Sequence, residues 1–316
     1  TYLEFVCNYE NIKNPLNSEE MNILKFISKE LSSGIRIHEP LLLSKLISSK
    51  TISKTDFESL LKDNNIIIDE NDLSGMLNII NGDFYKKAEK KGEEKKRQYS
   101  PFDLVKFKNN EYIISEEFNS LLKSNPVFEK VLLDILEYCK YKWKTNYSKN
   151  ITMNNFSLYQ KYSRKDVCRL LNWGSNEESV MYGYKKDSKT NTCPIFVTYQ
   201  KIKLDGSTTN YEDRFIDNYQ FYWQSKDGKI LEKDETLKYI KDSNNNGLWI
   251  PLFIMKSDNE GGNFYYMGNC SVKEIEQSSH QTAKGERPIV NVIFNVNPPV
   301  KDEILIYLEQ DFSEEV

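Results

Sequence analysis

Apolar positions recur at helical spacing through the first third of the chain. In "NSEEMNILKFISKEL", Met21, Leu24, Phe26, Ile27 and Leu31 form one stripe, and Ser18 is the expected N-cap. "EPLLLSKLIS" (39–48) and "SKTDFESLLKD" (53–63) predict two further helices, the second capped by Ser53 or Thr55. "ENDLSGMLNIING" (70–82) predicts a fourth, stopped by its Asn-Gly pair. These short helices read as a small bundle or a winged-helix-like unit, with "DLVKFKNNEYIIS" (103–115) as its hairpin, turning at Asn109 and Asn110. "YKKAEKKGEEKKRQ" (85–98) carries mixed charge without an apolar stripe and reads as a solvated helix or a flexible connector. "NPVFEKVLLDILEYCKYKW" (125–143) is strongly apolar; its Val127, Val131, Leu132, Ile135 and Leu136 are expected to close the first core.

From about Ile151 the pattern changes. One helix remains, "SRKDVCRLL", in which Ser163 and Asp166 form a capping box. Otherwise short strand-like runs alternate with turn clusters: "CPIFVTYQKI", "FIDNYQFYWQSK", "GLWIPLFIMK", "NFYYMGNCSV", "PIVNVIFNV" and "EILIYLEQ", separated by turns at Asp205, Lys226, Asn244 and Asn259. Six strands at this spacing predict a compact barrel or a strongly curved sheet. The fold class is therefore α+β, with a helical subdomain over 1–150 and a mostly β barrel over 151–316. Strand alternation places Ile195, Val197 and Tyr199 on one face and Phe196 and Thr198 on the other. Likewise Tyr219, Phe221 and Trp223 oppose Gln220, Tyr222 and Gln224.

Length and charge narrow the function classes. A chain of 316 residues exceeds the usual single core, which agrees with two domains. A net charge of -4 lacks the basic excess of a purely electrostatic nucleic-acid binder, so any nucleic-acid face must be local. The five cysteines are scattered without C-x-x-C spacing, and only His38 and His280 are available as imidazoles, so no metal site or histidine-based catalytic pair is expected. Both histidines read as solvent-facing or as local hydrogen-bonders, and Cys193 as a small core residue. No window approaches a membrane span and no leader pattern opens the chain, so a soluble cytoplasmic protein is expected. The first residue is not methionine, which reads as a piece of a longer chain.

Two stretches carry candidate chemistry. Between Cys139 and Lys165 lie Lys140, Lys142, Lys144, Lys149, Lys161, Arg164 and Lys165 without one carboxylate, interleaved with Tyr141, Trp143, Tyr147, Phe156, Tyr159 and Tyr162. Such a run either offers cations and aromatic faces to a nucleic acid or forms a junction packed by aromatics. In "NYEDRFIDNYQFYWQSK" (210–226), Glu212 and Asp213 stand beside Tyr211 and Phe215, carboxylates among rings. That grouping reads either as a turn pair or as part of a pocket for a flat heterocycle. An extruded base loses stacking worth a few kcal/mol, which aromatic faces and hydrogen bonds to its Watson–Crick edge must offset. A carboxylate suits the exocyclic amino group of cytosine. No phosphate loop, nucleophile elbow or zinc-deaminase signature appears, so catalysis by this chain is not expected.

"YSRKDVCRLLNW" (162–173), "GYKKDSKTNTCPIFVTYQK" (183–201), "YEDRF" (211–215) and "FYWQSK" (221–226), together with the opening "TYLEFV", resemble the carboxyl-terminal region of SauUSI-like type IV restriction enzymes. These fuse a phospholipase-D-like nuclease, a DEAD-box helicase motor and a terminal domain. The resemblance implies a target-recognition region with an SRA-like (PUA-like) barrel that flips 5-methylcytosine or 5-hydroxymethylcytosine out of double-stranded DNA, as part of a phage-defence system. It also implies partners in the protein's own helicase and nuclease domains, with ATP and Mg2+ serving the motor and no cofactor in this chain. No pocket residue is carried over, so the site rests on spacing. Tyr199, Tyr211, Phe221 and Trp223 are the expected stacking or wall residues, and Glu212 or Asp213 the base-edge reader. Lys185, Lys186, Lys226 and Lys229 are the expected phosphate contacts. Tyr184, Asn191, Thr192 and Ser225 complete the expected DNA-binding set. The loop over 185–192 is either the barrel mouth or an ordinary hairpin loop. The rival reading is a module that binds a partner protein or its own helicase.

Overall fold

The computed structural model describes residues 9–10, 13–66, 68, 70–88, 90, 92–149, 156–200, 212–282 and 285–310. They fall into two units: one takes residues 1–157 with 168–176, the other 158–167 with 177–316.

In the first unit, helix α1 (Ser18–Phe26) begins one residue earlier than expected, because the cap is Asn17. Its side chain accepts the Glu20 N–H at 2.9 Å while the Glu20 carboxylate accepts the Asn17 N–H at 2.8 Å, and Ser18 becomes the first helical residue. A π-helical turn (Ile27–Leu31) and α2 (His38–Ser49) follow. Then come β1 (Thr51–Ser53), α3 (Lys54–Asp63), capped by Ser53, and α4 (Glu70–Ile80). The hairpin of β2 (Val105–Lys108) and β3 (Glu111–Ile114) turns on Asn109 (φ 52) and Asn110 (φ 65), the left-handed pair a tight two-residue turn needs. Strand β1 joins it in a three-stranded antiparallel sheet of order β1-β3-β2.

Helices α5 (Glu116–Ser124) and α6 (Pro126–Asn146) close this unit. The buried stripe of α6 is Phe128, Leu132, Leu136, Cys139 and Trp143, whereas Val127 is 45% exposed. The apolar face starts one residue later than expected, and steps of four, four, three and four residues carry it along the helix. Among the described residues of 85–98, Tyr85 ends a 3-10 turn (Asp83–Tyr85) and the rest form no helix. Lys87 and Lys96 make a short antiparallel bridge, and Arg97 holds Asp83 at 2.7 Å and Asp103 at 2.7 Å.

His38 corrects a further expectation. It begins α2 on the inward face and is buried, with both ring nitrogens lacking a hydrogen-bond partner and Nε2 4.0 Å from the Asp72 carboxylate. Burial first, and then the neighbouring Arg36 cation, hold its pKa well below the usual histidine value. A base whose folded pKa is depressed contributes stability that is fully present above its unfolded pKa of about 6.5 and is lost as pH falls below it. The slope approaches about 1.4 kcal/mol per pH unit. Denaturant titrations of the wild type and of His38→Leu at pH 8 and 5.5 should therefore converge at the lower pH; parallel losses would place the pH effect elsewhere.

The second unit is a seven-stranded sheet of order β5-β8-β9-β10-β7-β6, built from β5 (Ile195–Thr198), β6 (Arg214–Asp217), β7 (Gln220–Gln224), β8 (Ile250–Met255), β9 (Phe264–Thr282) and β10 (Gly285–Asn297). Short β4 (Lys161–Tyr162) pairs with β9, and helix α7 (Arg164–Leu170) follows it behind the Ser163–Asp166 capping box. The β5–β8 pair is parallel and the other pairs are antiparallel. The sheet curls into a half-barrel, the strongly curved sheet that the strand pattern predicts; among the described residues its end strands β5 and β6 do not pair. Register shifts in three pairs add local twist. At the β8–β9 shift lies Gly268 (φ +120), where a Cβ would stand 2.7 Å from the Asn297 carbonyl oxygen. Only glycine fits that bend.

Helices α8 (Glu235–Lys241) and α10 (Asp302–Glu309), flanking the four-residue α9 (Ser243–Asn246), bring Leu237, Ile240 and Leu308 to one face of the sheet. "EILIYLEQ", expected as a strand, is this last helix. Ile304, Leu305 and Leu308 turn inward together while Ile306 is 57% exposed, and Asp302 and Glu303 complement the N-terminal dipole. No described helix is long and apolar enough to cross a membrane.

Candidate nucleic-acid interface

The expected aromatic pocket is filled by its own side chains. Phe221 is fully buried, 4.8 Å from the Phe215 ring. Trp223 is buried with Phe294 at 5.8 Å and meets the buried Tyr184 edge-on at 5.0 Å. Ser225 is buried, and its hydroxyl accepts the Val290 N–H at 2.9 Å. These residues alternate onto the face that α8 and α10 cover, so they pack as core and not as the walls of an opening. Tyr199 is half-buried against the same core, and its hydroxyl accepts the Phe215 N–H at 3.4 Å. Tyr211 lies outside the described residues. Glu212 is exposed, and Asp213 accepts the Gln224 N–H at 2.9 Å, tying the start of β6 to β7.

The loop over 185–192 is a hairpin turned on itself. Asp187 and Thr192 bridge, and the Asp187 carboxylate accepts both the N–H and the hydroxyl of Thr190, at 2.8 and 2.9 Å. Thr192 is buried, while Asn191 takes a left-handed conformation (φ 51) and donates to the Asn246 carbonyl at 3.1 Å. Aromatics of the 139–165 stretch also turn inward. Trp143, Phe156 and Tyr162 are buried, Lys161 lies 4.6 Å from the Tyr265 ring, and Arg164 lies 4.6 Å from the Phe264 ring.

The expected lysines do gather. Lys226 lies 4.5 Å over the Tyr184 ring and donates to the Tyr184 carbonyl at 3.3 Å. Burial, and next the repulsion of Lys229, lower its pKa, with Lys185 adding to the effect and Asp234 opposing it. Lys185 pairs with Glu177 at 2.7 Å, Lys229 pairs with Asp234, and Lys186 stands 3.7 Å over the Tyr239 ring. A cation held below its usual pKa by burial, and then by a neighbouring cation, gains from an anion such as phosphate. Lys226→Met is expected to weaken duplex binding alike for modified and unmodified cytosine and to reduce the salt slope by about 0.9. Titration at several salt concentrations checks this; an unchanged slope would exclude Lys226 as a phosphate contact.

The other face of the same strands forms a site that spacing did not reveal. Tyr222 on β7 faces Ile293 on β10, which faces Glu274 on β9; two rungs along, on the same face, Gln224, Asn291 and Glu276 line up in the same way. Tyr222, Ile293, Glu274, Asn291 and Glu276, with Ile275, line a pocket of about 350 Å³. That lies at the lower end of the ~300–1,000 Å³ that ligand pockets occupy. Its polar groups are linked: the Gln224 amide donates to the Tyr222 hydroxyl and to Asn291 Oδ1, each at 3.2 Å, and the Asn291 amide approaches Glu276 at 3.4 Å. Arg214, opposite Tyr222 on β6, lays its guanidinium 4.7 Å from that ring. Among the described residues no three His, Cys, Asp or Glu side chains gather as a metal site.

Residues 156–308 match a family model described as a domain of unknown function, DUF3427, and residues 1–148 match another, DUF8090. No curated protein matches the chain. Among solved structures, the DNA modification-dependent restriction endonuclease AspBHI superposes with a TM-score of 0.31 and 13% identity, over 45% of this chain and 75% of its own. The SUVH5 SRA domain with hemimethylated CG DNA gives 0.31 and 12%, over 46% and 91%. The sulfur-binding and SRA domains of ScoMcrA, complexed with phosphorothioated DNA, give 0.32 and 12%, over 88% and 91%.

The signal for the missed pocket was partly present. Alternation had already set Tyr222 and Gln224 opposite the buried Phe221 and Trp223. Their partners on β9 and β10 lie about fifty and about seventy residues away in sequence, and no local pattern names them.

Proposed function

We propose that this chain is the DNA-recognition module of a modification-dependent restriction enzyme, and that its β unit reads a cytosine carrying a 5-methyl or 5-hydroxymethyl group after the base leaves the duplex. One observation carries the reading: two successive rungs on the same face of the sheet set a tyrosine ring, an apolar Ile293, an amide and two carboxylates around one open pocket. Cytosine presents an amino donor beside ring acceptors, so Glu276 or Glu274 accepts from its amino group while Asn291 donates to the ring edge. Tyr222 supplies the stacking face, with the Arg214 guanidinium plane beside it. The Lys226 cluster, which packs against Tyr184 and the start of α8, is a separate candidate contact for phosphates. In this reading the chain binds and does not cut, and occupancy directs an ATP-dependent helicase and a nuclease that belong to the parent enzyme.

Magnitudes set the expectation. A well-placed contact to a base edge is worth about 1–3 kcal/mol, so Glu276→Gln should lose roughly tenfold or more in affinity for a methylated duplex. Burying one methyl group gives about 0.8 kcal/mol, a methyl preference of about fourfold from burial alone. Matched duplexes with cytosine, 5-methylcytosine or 5-hydroxymethylcytosine, titrated with 2-aminopurine beside the target, measure selectivity and extrusion together. Wild-type affinity in both Glu276→Gln and Tyr222→Ala would remove the pocket from the reading. A second reading, a coupling module that binds protein, draws on Tyr138 and Tyr141 of α6, which are 50% and 66% exposed. Equal, weak binding of all three duplexes favours it.

A further inference from the structure

Part of the cation-rich stretch that follows Glu137 does not turn inward. From Tyr138 to Lys165 the chain carries no Asp or Glu, although 47 of its 316 residues are acidic. On α6 this run reads Tyr138-Cys139-Lys140-Tyr141-Lys142-Trp143-Lys144. Cys139 and Trp143 are buried, whereas Tyr138, Tyr141 and Lys144 are exposed. Lysines here complement the negative end of the helix dipole. The dipole accounts for the cations and not for two large rings left in water among them.

A groove opens at this place, wholly within the first unit. It has a volume of about 550 Å³ and lies between the C-terminal end of α3, with Asp63, Asn64 and Asn65, and the α6 turns that carry Lys140, Tyr141 and Lys144. That volume is within the ~300–1,000 Å³ of ligand sites. The α6 wall is held in place by close packing: Gly34 (φ +70) approaches so near that a Cβ there would stand 2.5 Å from Lys142 Cβ and 2.8 Å from the Trp143 nitrogen. Lys140 and Lys144 are one turn apart, about 6 Å along the axis. Lys140 pairs with Glu137, while Lys144 has no paired carboxylate among the described residues. Asp63 on the facing wall repels an anion toward the lysine side. On the ridge beside the groove, Lys142 stands 5.6 Å over the Tyr138 ring.

We propose that this groove is a second nucleic-acid site, which holds a single strand: Tyr141 stacks on a base, and Lys144, with Lys142 on the adjoining ridge, meets the phosphates. Stacking selects the single strand, because the bases of a duplex cover one another and leave no face for a ring. Lysine selects nucleic acid over protein, since the centres of protein interfaces are depleted of lysine and this wall carries two around its exposed tyrosine. The site is independent of base reading by the β unit, and either can fail without the other.

The test uses the full chain, a short fluorescent oligothymidylate and an abasic strand of equal length, which keeps the phosphates and removes the bases. Wild type should bind oligothymidylate roughly tenfold more tightly than the abasic strand. Tyr141→Ala should lose that advantage and bind the abasic strand as the wild type does. Lys144→Met should reduce the salt slope on both strands by about 0.7. Both side chains are exposed, so both variants should melt at the wild-type temperature. If oligothymidylate binds no more tightly than the abasic strand, or if both variants bind it as the wild type does, the groove is not a single-strand site and the tyrosines are left to a protein partner. An equal loss on both strands in Tyr141→Ala would overturn stacking. Methyl preference on duplexes should survive both variants; its absence from the wild type overturns the reading of the β unit and leaves the groove standing.

Discussion

Phe221→Ala should lower the unfolding free energy of the β unit by about 3–5 kcal/mol, the range for emptying an aromatic site in a packed core. Phe221 pairs with Phe294 across β7–β10, lies against Phe215 on β6 and is fully buried under the face that α8 and α10 cover. The surrounding strands are held on both sides by backbone ladders, so they cannot collapse into the vacated space. Phe221→Leu keeps most of the volume and should cost less than about 1.5 kcal/mol. Urea titrations followed at the tryptophans measure both. Should alanine leave the transition in place and abolish methylated-DNA binding instead, Phe221 would be a pocket wall after all.

Arg36→Met should cost the first unit a similar amount, about 3–5 kcal/mol, because it strands a buried charge. Arg36 is buried and donates to the Arg169 carbonyl at 2.8 Å, to Asn172 Oδ1 at 2.7 Å and to the Asp72 carbonyl at 3.1 Å. Its Nε stands 2.9 Å from the Glu39 carboxylate, whose two oxygens are buried and make no directed hydrogen bond. The guanidinium is therefore the counter-charge of Glu39 and the pin that holds residues 168–176 within this unit. Adding Glu39→Leu to Arg36→Met removes the stranded charge and should recover a large part of the loss. Equal stability of the single and double variants would mean that Glu39 is neutralised by another group.

What could be read along the chain follows from short-range physics. The Ser53 cap, the Asn109–Asn110 turn and the Ser163–Asp166 box each depend on residues within a few positions of one another. Local sterics and hydrogen bonding decide them before any distant contact forms. The errors also have local causes. Two cap-competent residues stand side by side at Asn17 and Ser18, and the unalternating apolar run of "EILIYLEQ" suits a buried strand as well as a helix.

The functional face was decided elsewhere. Alternation separates Phe221 and Trp223 from Tyr222 and Gln224, yet it cannot say which set is buried. That depended on α8 and α10 covering one side of the sheet. The pocket then required β9 and β10 to bring Glu274, Glu276, Asn291 and Ile293 alongside Tyr222, in a register that shifts by one residue at Ile293. The sequence by itself determined the Ser53 and Ser163 caps, the Asn109–Asn110 turn and the alternation along β7. Which ring became core and which became a candidate contact was settled only by long-range strand pairing, because a side chain's environment belongs to its neighbours across the sheet and not to those along the chain.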